Sequence, residues 1–209
     1  MKTLLFCLLM LGGAGLNRTT ISHPKPGGIS ILTIDRSAST IGWKAEKTTG
    51  KHNGTIKIQS GNLTLYCGQL SKGSIVANMS SIEVADLDGS DKQKLENNLK
   101  GDNFFEADKF PLTILDIISV NHQSEGVYHF ITVTGNLTMH GITKPVVFTA
   151  NVTKSTRTDF IAQADLVINR RDFNIATGNV KYNTFINKEI SLHVQLQASE
   201  KMSRQTTSL

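Results

Sequence analysis

The sequence predicts an all-β fold of about eight antiparallel strands around one core, with a single short helix. Three observations predict it. Thr, Ile and Val, which suit a pleated, half-buried surface, are abundant, while proline is limited to 4 residues. Apolar and polar residues alternate with period two along most of the chain from Ile31 onward. The alternating runs are short, evenly spaced and bounded by Gly, Asn or Ser. Such spacing fits a sandwich or a barrel, and a barrel of about eight strands leaves room for one ligand inside.

The elements follow in order. Lys2, the apolar stretch Thr3 to Leu11 and the small residues Gly13-Ala14-Gly15 have the pattern of a signal peptide (1–15) cut after Gly15. The apolar stretch is too short to cross about 30 Å of hydrocarbon, so no stable membrane span is expected and a periplasmic or exported location is. Residues 16–30, with Pro24, Pro26 and Gly27-Gly28, read as a flexible arm; 31–198 form the folded domain and 199–209 a polar tail. Ile41, Trp43 and Ala45 share one face of a strand, Ile56 and Ile58 a face of the next, then Leu63 with Leu65, and Ile75 with Ala77 and Met79. From Ser90 to Gly101 the period changes. Leu95 and Leu99, four apart, share a helix face, with Ser90 or Asp91 capping the start and Gly101 the end. Phe104, Phe105 and Phe110-Pro111 then form an aromatic patch suited to a lid over the core. Strands resume at 112–118, at 127–139 (two strands, or one strand with a bend at Gly135), and at 146–152, 160–168 and 190–198.

Composition excludes several function classes. Lys plus Arg number 22 against 17 Asp plus Glu, and the basic residues are scattered apart from Arg170-Arg171, so nucleic acid is not an expected partner. Loss of Cys7 with the signal peptide leaves Cys67 alone, which rules out an intrachain disulfide; Cys67 is expected as a small buried hydrophobe in a strand. None of the 6 histidines forms an HxH or HExxH pattern, and no GxSxG elbow or GxxxxGK[ST] loop occurs. Asp86 to Asp91 faintly resembles a calcium loop, but Asn97 and Leu99 occupy the positions where the bidentate Glu would stand. No catalytic residue, metal site or cofactor is therefore assigned.

A more specific signal lies in an ordered set of motifs. Gly50-Lys51-His52-Asn53-Gly54 after the Trp43 strand, Leu95 and Leu99 followed by Asp102-Asn103-Phe104-Phe105, and Phe110-Pro111 come first. Gly135-Asn136-Leu137-Thr138-Met139-His140-Gly141-Ile142-Thr143-Lys144-Pro145 is the most specific, followed by Ile168-Asn169-Arg170-Arg171-Asp172-Phe173 and the closing strand to Ala198. From about Ile31 to Ala198 the chain resembles the YceI-like proteins, and Gly50 to Gly54 resembles a turn typical of them. The resemblance implies a lipocalin-like antiparallel β-barrel, with an elongated apolar pocket for a polyisoprenoid or a related amphiphile such as a quinone or fatty amide, in the bacterial periplasm. One departure is Asn174, where the family usually has Gly; Asn tolerates a left-handed backbone. The segment Gly178 to Asn187 is also looser than is usual.

Alternation nominates the inward residues. Trp43, Ile56, Ile58, Leu65, Met79 and Phe130 are candidates for ligand contact, as are Leu137, Met139, Leu166 and Ile168, with Phe104 and Phe105 at the pocket rim. Ile41, Leu63, Ile75 and Phe148 are further inward positions, and plain core packing is the alternative for each. His140 and Arg170 could each meet a headgroup, but a turn contact for His140 and a structural ion pair for Arg170, with Asp172 or another carboxylate, are preferred. The leading reading is a carrier or store of a long-chain lipid. The rivals are an enzyme acting on such a lipid inside the barrel and a solid-core interaction domain. A homodimer is compatible with any of them.

Overall fold

The computed structural model describes residues 28–200 except 49, 126–127 and 177–185. The expected signal peptide (1–15), most of the expected arm, the tail beyond residue 200 and most of the 178–187 segment lie outside the described residues.

Nine strands form one sheet: β1 (Ile29–Ile34), β2 (Thr40–Lys47), β3 (Gly50–Tyr66), β4 (Gln69–Val84), β5 (Leu112–Glu125), β6 (Tyr128–Met139), β7 (Ile142–Ser155), β8 (Asp159–Asn169) and β9 (Ile186–Ser199). A helix, α1 (Gly89–Lys100), follows β4, and a 3-10 turn (Arg170–Phe173) follows β8. Neighbours run antiparallel in the order β2-β9-β8-β7-β6-β5-β4-β3, and β3 pairs back onto β2. Eight positions therefore close into a barrel, in which every strand has a partner on both sides over at least part of its length.

The ninth strand fits because β1 and β2 share one position. Both run antiparallel to β3 and β9: β1 through Thr33↔Asn62 and Thr33↔Ser199, β2 through Ile41↔Ile56 and Thr40↔Gln195. The break between them is a turn built on Asp35. Its carboxylate accepts from the Ser37 hydroxyl at 2.6 Å, the Ser37 amide at 2.9 Å and the Ala38 amide at 3.2 Å. Ser39 then replaces a ladder rung, its hydroxyl donating to the Gln197 carbonyl and accepting from the Gln197 amide. β1 also takes in Ile29 and Ser30, which the sequence assigns to the arm.

Other boundaries differ from the sequence reading. Gly50 to Gly54 are not a turn but the start of the 17-residue β3. Gly54 serves close approach instead: a Cβ there would strike the Glu83 carbonyl and sit 2.8 Å from the Trp43 ring. Cys67 is exposed, at the tip of the β3–β4 hairpin, rather than buried in a strand. Cys67 and Gly68, with φ of 53° and 80°, form the two-residue turn with both residues left-handed that suits strand twist. His140 and Gly141, at 52° and 73°, do the same between β6 and β7. β6 runs unbroken through Gly135. In α1, Asp88 is the N-cap in place of Ser90 or Asp91. Gly101 closes the helix in an extended conformation, its amide donating to the Asn97 carbonyl.

The interior divides along the barrel axis. Leu32, Ile34, Ile58, Leu63 and Leu65 pack the end that carries the Cys67 hairpin. Trp43, Met79, Leu99, Phe104, Phe173 and Ile175 pack the opposite end, beneath α1 and the His140 hairpin.

A candidate ligand-binding cavity

A cavity of about 150 Å³ runs inside the barrel between these two clusters. Alternation puts its wall together: Ile41 and Trp43 from β2, Ile56 from β3, Ile75 and Met79 from β4, Leu137 and Met139 from β6, and Phe148, Leu166 and Ile168 from β7 and β8. Phe104 and Phe105 cover the upper end, their rings edge to face at 4.9 Å. Phe104 is buried, so these rings form a lid rather than an exposed rim.

The cavity thus brings together Trp43, Ile56, Met79, Phe104, Phe105, Leu137, Met139, Leu166 and Ile168, and leaves out three candidates. Ile58 and Leu65 point inward but pack the lower cluster, below the open space. Phe130 is on the outer side of β6. The strand keeps one parity from Ile131 to Met139, with Ile131, Val133, Leu137 and Met139 buried, so an even-numbered residue faces out. Sequence reasoning missed Ile131 and Val133 for the same reason, and also Leu70, Phe160 and Leu196, which complete the wall. Period two in their strands was the available signal.

The wall is almost wholly apolar. Besides Trp43, Thr113 and Gln163 are its polar residues, and the Gln163 side chain belongs to the exposed outer face of β8, opposite in parity to buried Ala162 and Ala164. Among the described residues, Trp43 Nε1 and Thr113 Oγ1 are buried side-chain polar atoms without a hydrogen-bond partner. Leaving such a group unpaired costs about 1–3 kcal/mol.

The lid is held by polar contacts outside the cavity. Glu96 on α1 accepts from the Val84 amide at 2.9 Å, fixing the helix to the end of β4. His140 joins three segments: Nδ1 meets the Phe173 carbonyl and Nε2 the Glu106 carboxylate, both at 3.0 Å. The Phe110 ring lies 4.5 Å from the imidazole. Burial pushes the Glu106 carboxyl upward, but the hydrogen bond from His140, with Lys109, more than offsets it and holds the group below its ordinary value. His140 therefore occupies a turn, as preferred, and also clamps the lid.

Arg170 is fully buried and organises the same end. Nε donates to the Asn187 carbonyl at 3.1 Å, Nη1 to Ile175 at 2.9 Å and Nη2 to Ile186 at 3.0 Å. These three carbonyls tie the start of β9 to the 3-10 turn. Burial, then the like charge of Arg171, draws the guanidinium below its ordinary value. Asn174 has φ 55°, the left-handed conformation expected of it.

Among the described residues, no group of three or more His, Cys, Asp or Glu converges to hold a metal ion. His52–Asp86 and His193–Asp165 are ion-pair contacts of 2.8 Å and 2.7 Å between residues that do not line the cavity.

Comparison with known proteins supplies the remaining context. A family model described as the YceI-like domain matches residues 32–198. No curated protein sequence matches. A crystal structure of BcnA from Burkholderia cenocepacia is similar at a TM-score of 0.66 and 17% identity, covering 79% of this chain and 99% of that one. A polyisoprenoid binding domain from Saccharophagus degradans, implicated in plant cell wall breakdown, is similar at 0.61 and 14%, covering 83% and 99%. A Campylobacter jejuni YCEI protein is similar at 0.50 and 18%, covering 96% and 99%. At these identities the solved structures establish a shared fold.

Proposed function

Because the chain belongs to the YceI-like family, we propose that it binds a long apolar amphiphile inside its barrel. The ligand classes that suit the cavity are polyisoprenoids, isoprenoid quinones and fatty amides, stored or carried in the cell envelope after export. The observation that carries this reading is the continuous apolar cavity with a lid of aromatic rings. Burial gains roughly 0.8 kcal/mol per methylene, so about 4 kcal/mol per five-carbon unit before the costs of ordering. The Saccharophagus degradans domain of the same fold is a polyisoprenoid binding domain, which favours the same class.

The size of the cavity says how the ligand would be held. A space of about 150 Å³ matches one benzene-sized molecule. A longer chain must widen it, and Met79 and Met139 are the side chains best able to yield, being unbranched and flexible. The reading assigns no covalent chemistry, since an apolar wall offers no acid–base pair to a bound lipid.

Native mass spectrometry with organic extraction, on protein purified from its own cell envelope, tests the proposal. A stoichiometric long-chain lipid is the expected result. Protein that is ligand-free, and stays so when offered polyprenols, quinones and fatty amides, would overturn it in favour of an interaction domain.

A further inference from the structure

The barrel wall has a break between β7 and β8. β7 runs from Ile142 to Ser155 and β8 from Asp159 to Asn169, yet they pair only between Ala150↔Ala164 and Ser155↔Phe160. Over 142–149 and 165–169 the two strands part, while β7 stays paired to β6 and β8 to β9. A cleft of about 380 Å³ occupies the gap.

The sequence builds this break in. Met139 and Ile142 close a two-residue hairpin and form its hydrogen-bonded pair. Bonded and non-bonded pairs alternate from there, so Asn136↔Pro145 is a non-bonded pair. The backbone groups of Thr143, Pro145, Val147 and Thr149 therefore point towards β8. Pro145 has no N–H to offer there, and proline in a sheet is tolerated where that side of the strand is unpaired.

The cleft leads into the cavity. Val146, Phe148, Leu166 and Ile168 line both spaces. Val146, Phe148 and Leu166 are only half-buried, whereas Ala150, Ala162 and Ala164 on the paired stretch are buried. Outside the gap, Val147 and Val167 are 66% and 61% exposed. Lys144, Asp165, Asn169 and Asp172 supply a polar rim of mixed sign. The barrel's two ends, by contrast, are packed with side chains.

We propose that the break between β7 and β8 is a side portal through which the chain of an uncharged amphiphile slides into and out of the barrel while its polar head stays hydrated at the rim. This rests on the binding reading above. The strands can part further at low cost there, because no ladder hydrogen bonds need be broken.

The test bridges the gap. In a Cys67→Ser background, Val147→Cys and Val167→Cys are joined by a short, reducible bis-thiosulfonate. A control carries the bridge between Thr132→Cys and Thr149→Cys, opposed on the fully paired β6 and β7. Each protein is loaded with an isoprenoid quinone of two units and mixed with excess phosphatidylcholine vesicles. Release is followed as recovery of fluorescence from Trp43, the chain's one tryptophan. The expected result is release at least tenfold slower when the gap is bridged, restored by reduction, with less than a twofold change in the control. Unchanged release with the bridge complete, or equal slowing in both proteins, would overturn the portal. Failure of every unbridged protein to take up the quinone, and likewise a polyprenol and a fatty amide offered in its place, would instead overturn the binding reading, and the portal with it.

Discussion

Replacing Thr113 by valine is expected to stabilise the protein. Thr113 opens the inward face of β5, opposite Ala77 of β4, and is 8% exposed. Its hydroxyl is buried without a partner in a wall that is otherwise apolar. Desolvating an unpaired hydroxyl costs about 1–3 kcal/mol, and valine keeps the shape and branching while removing that group. The new methyl adds a further apolar contribution of order 0.8 kcal/mol. A gain of about 2–4 kcal/mol follows, which for a domain of this size raises the melting temperature by roughly 4–16 °C. Urea unfolding followed by Trp43 emission gives the free energy, and far-ultraviolet circular dichroism provides the second probe for a two-state transition. An unchanged or lower midpoint would refute the reasoning, because it would mean that the hydroxyl is satisfied by water held in the cavity. Thr113→Ala separates the terms: it removes the hydroxyl but enlarges the cavity, and so should fall below the valine variant by about 1–2 kcal/mol.

Gly54→Ala should destabilise the fold by more than about 3 kcal/mol in urea unfolding, since its Cβ meets the Glu83 backbone and the Trp43 ring. Cys67 should react with a disulfide reagent at the rate of a free thiol under native conditions, because it lies exposed at a hairpin tip; slow labelling would contradict its placement. Asp86 accepts from the Asn53 amide at 2.9 Å and meets His52 at 2.8 Å; burial pushes its carboxyl up, but these bonds outweigh it and lower it below 3.8. A lowered carboxyl stabilises above its unfolded value and ceases to do so as pH falls through its folded value, so Asp86→Asn should be less stable at pH 7. The difference from the parent, of order 1 kcal/mol, should shrink as pH falls below the unfolded carboxyl value and vanish once it has passed the folded one in acid titration of unfolding. Phe104→Ala removes a buried ring from the lid and should cost about 3–5 kcal/mol by the same unfolding assay.

Period-two alternation made the strands and the single helix legible, and motif order made the family legible. What alternation cannot give is depth along the barrel axis. Ile56 and Ile58 have the same parity, but only Ile56 reaches the open space. Parity itself is lost when a strand's limits are uncertain: Phe130 and Leu137 stand seven positions apart, an odd offset that puts them on opposite faces. The two hairpin tips hid their geometry because Cys67 and His140 occupy left-handed positions more often held by Asn or Asp; the glycine after each was the visible signal. The shared place of β1 and β2 had no local signal at all, being decided by which strands meet when the sheet closes. Pro145 was legible as an odd residue in a strand, but its meaning depends on which neighbour it faces.

The seam that completes the barrel has a consequence for how the chain reaches its native state. β1 and β2 come from the start of the domain and β9 from its end, and their pairing joins Thr33 to Ser199 and Thr40 to Gln195. Hairpins from β3 to β8 can form as they emerge, each through local contacts, but the seam must wait for the last strand. The loop-closure entropy of nearly the whole domain falls on that one step, the situation in which β proteins fold in milliseconds to seconds rather than microseconds. Until β9 is available the domain is therefore an open, curled sheet, and a truncation that removed β9 would leave two long bare edges instead of a slightly shorter barrel.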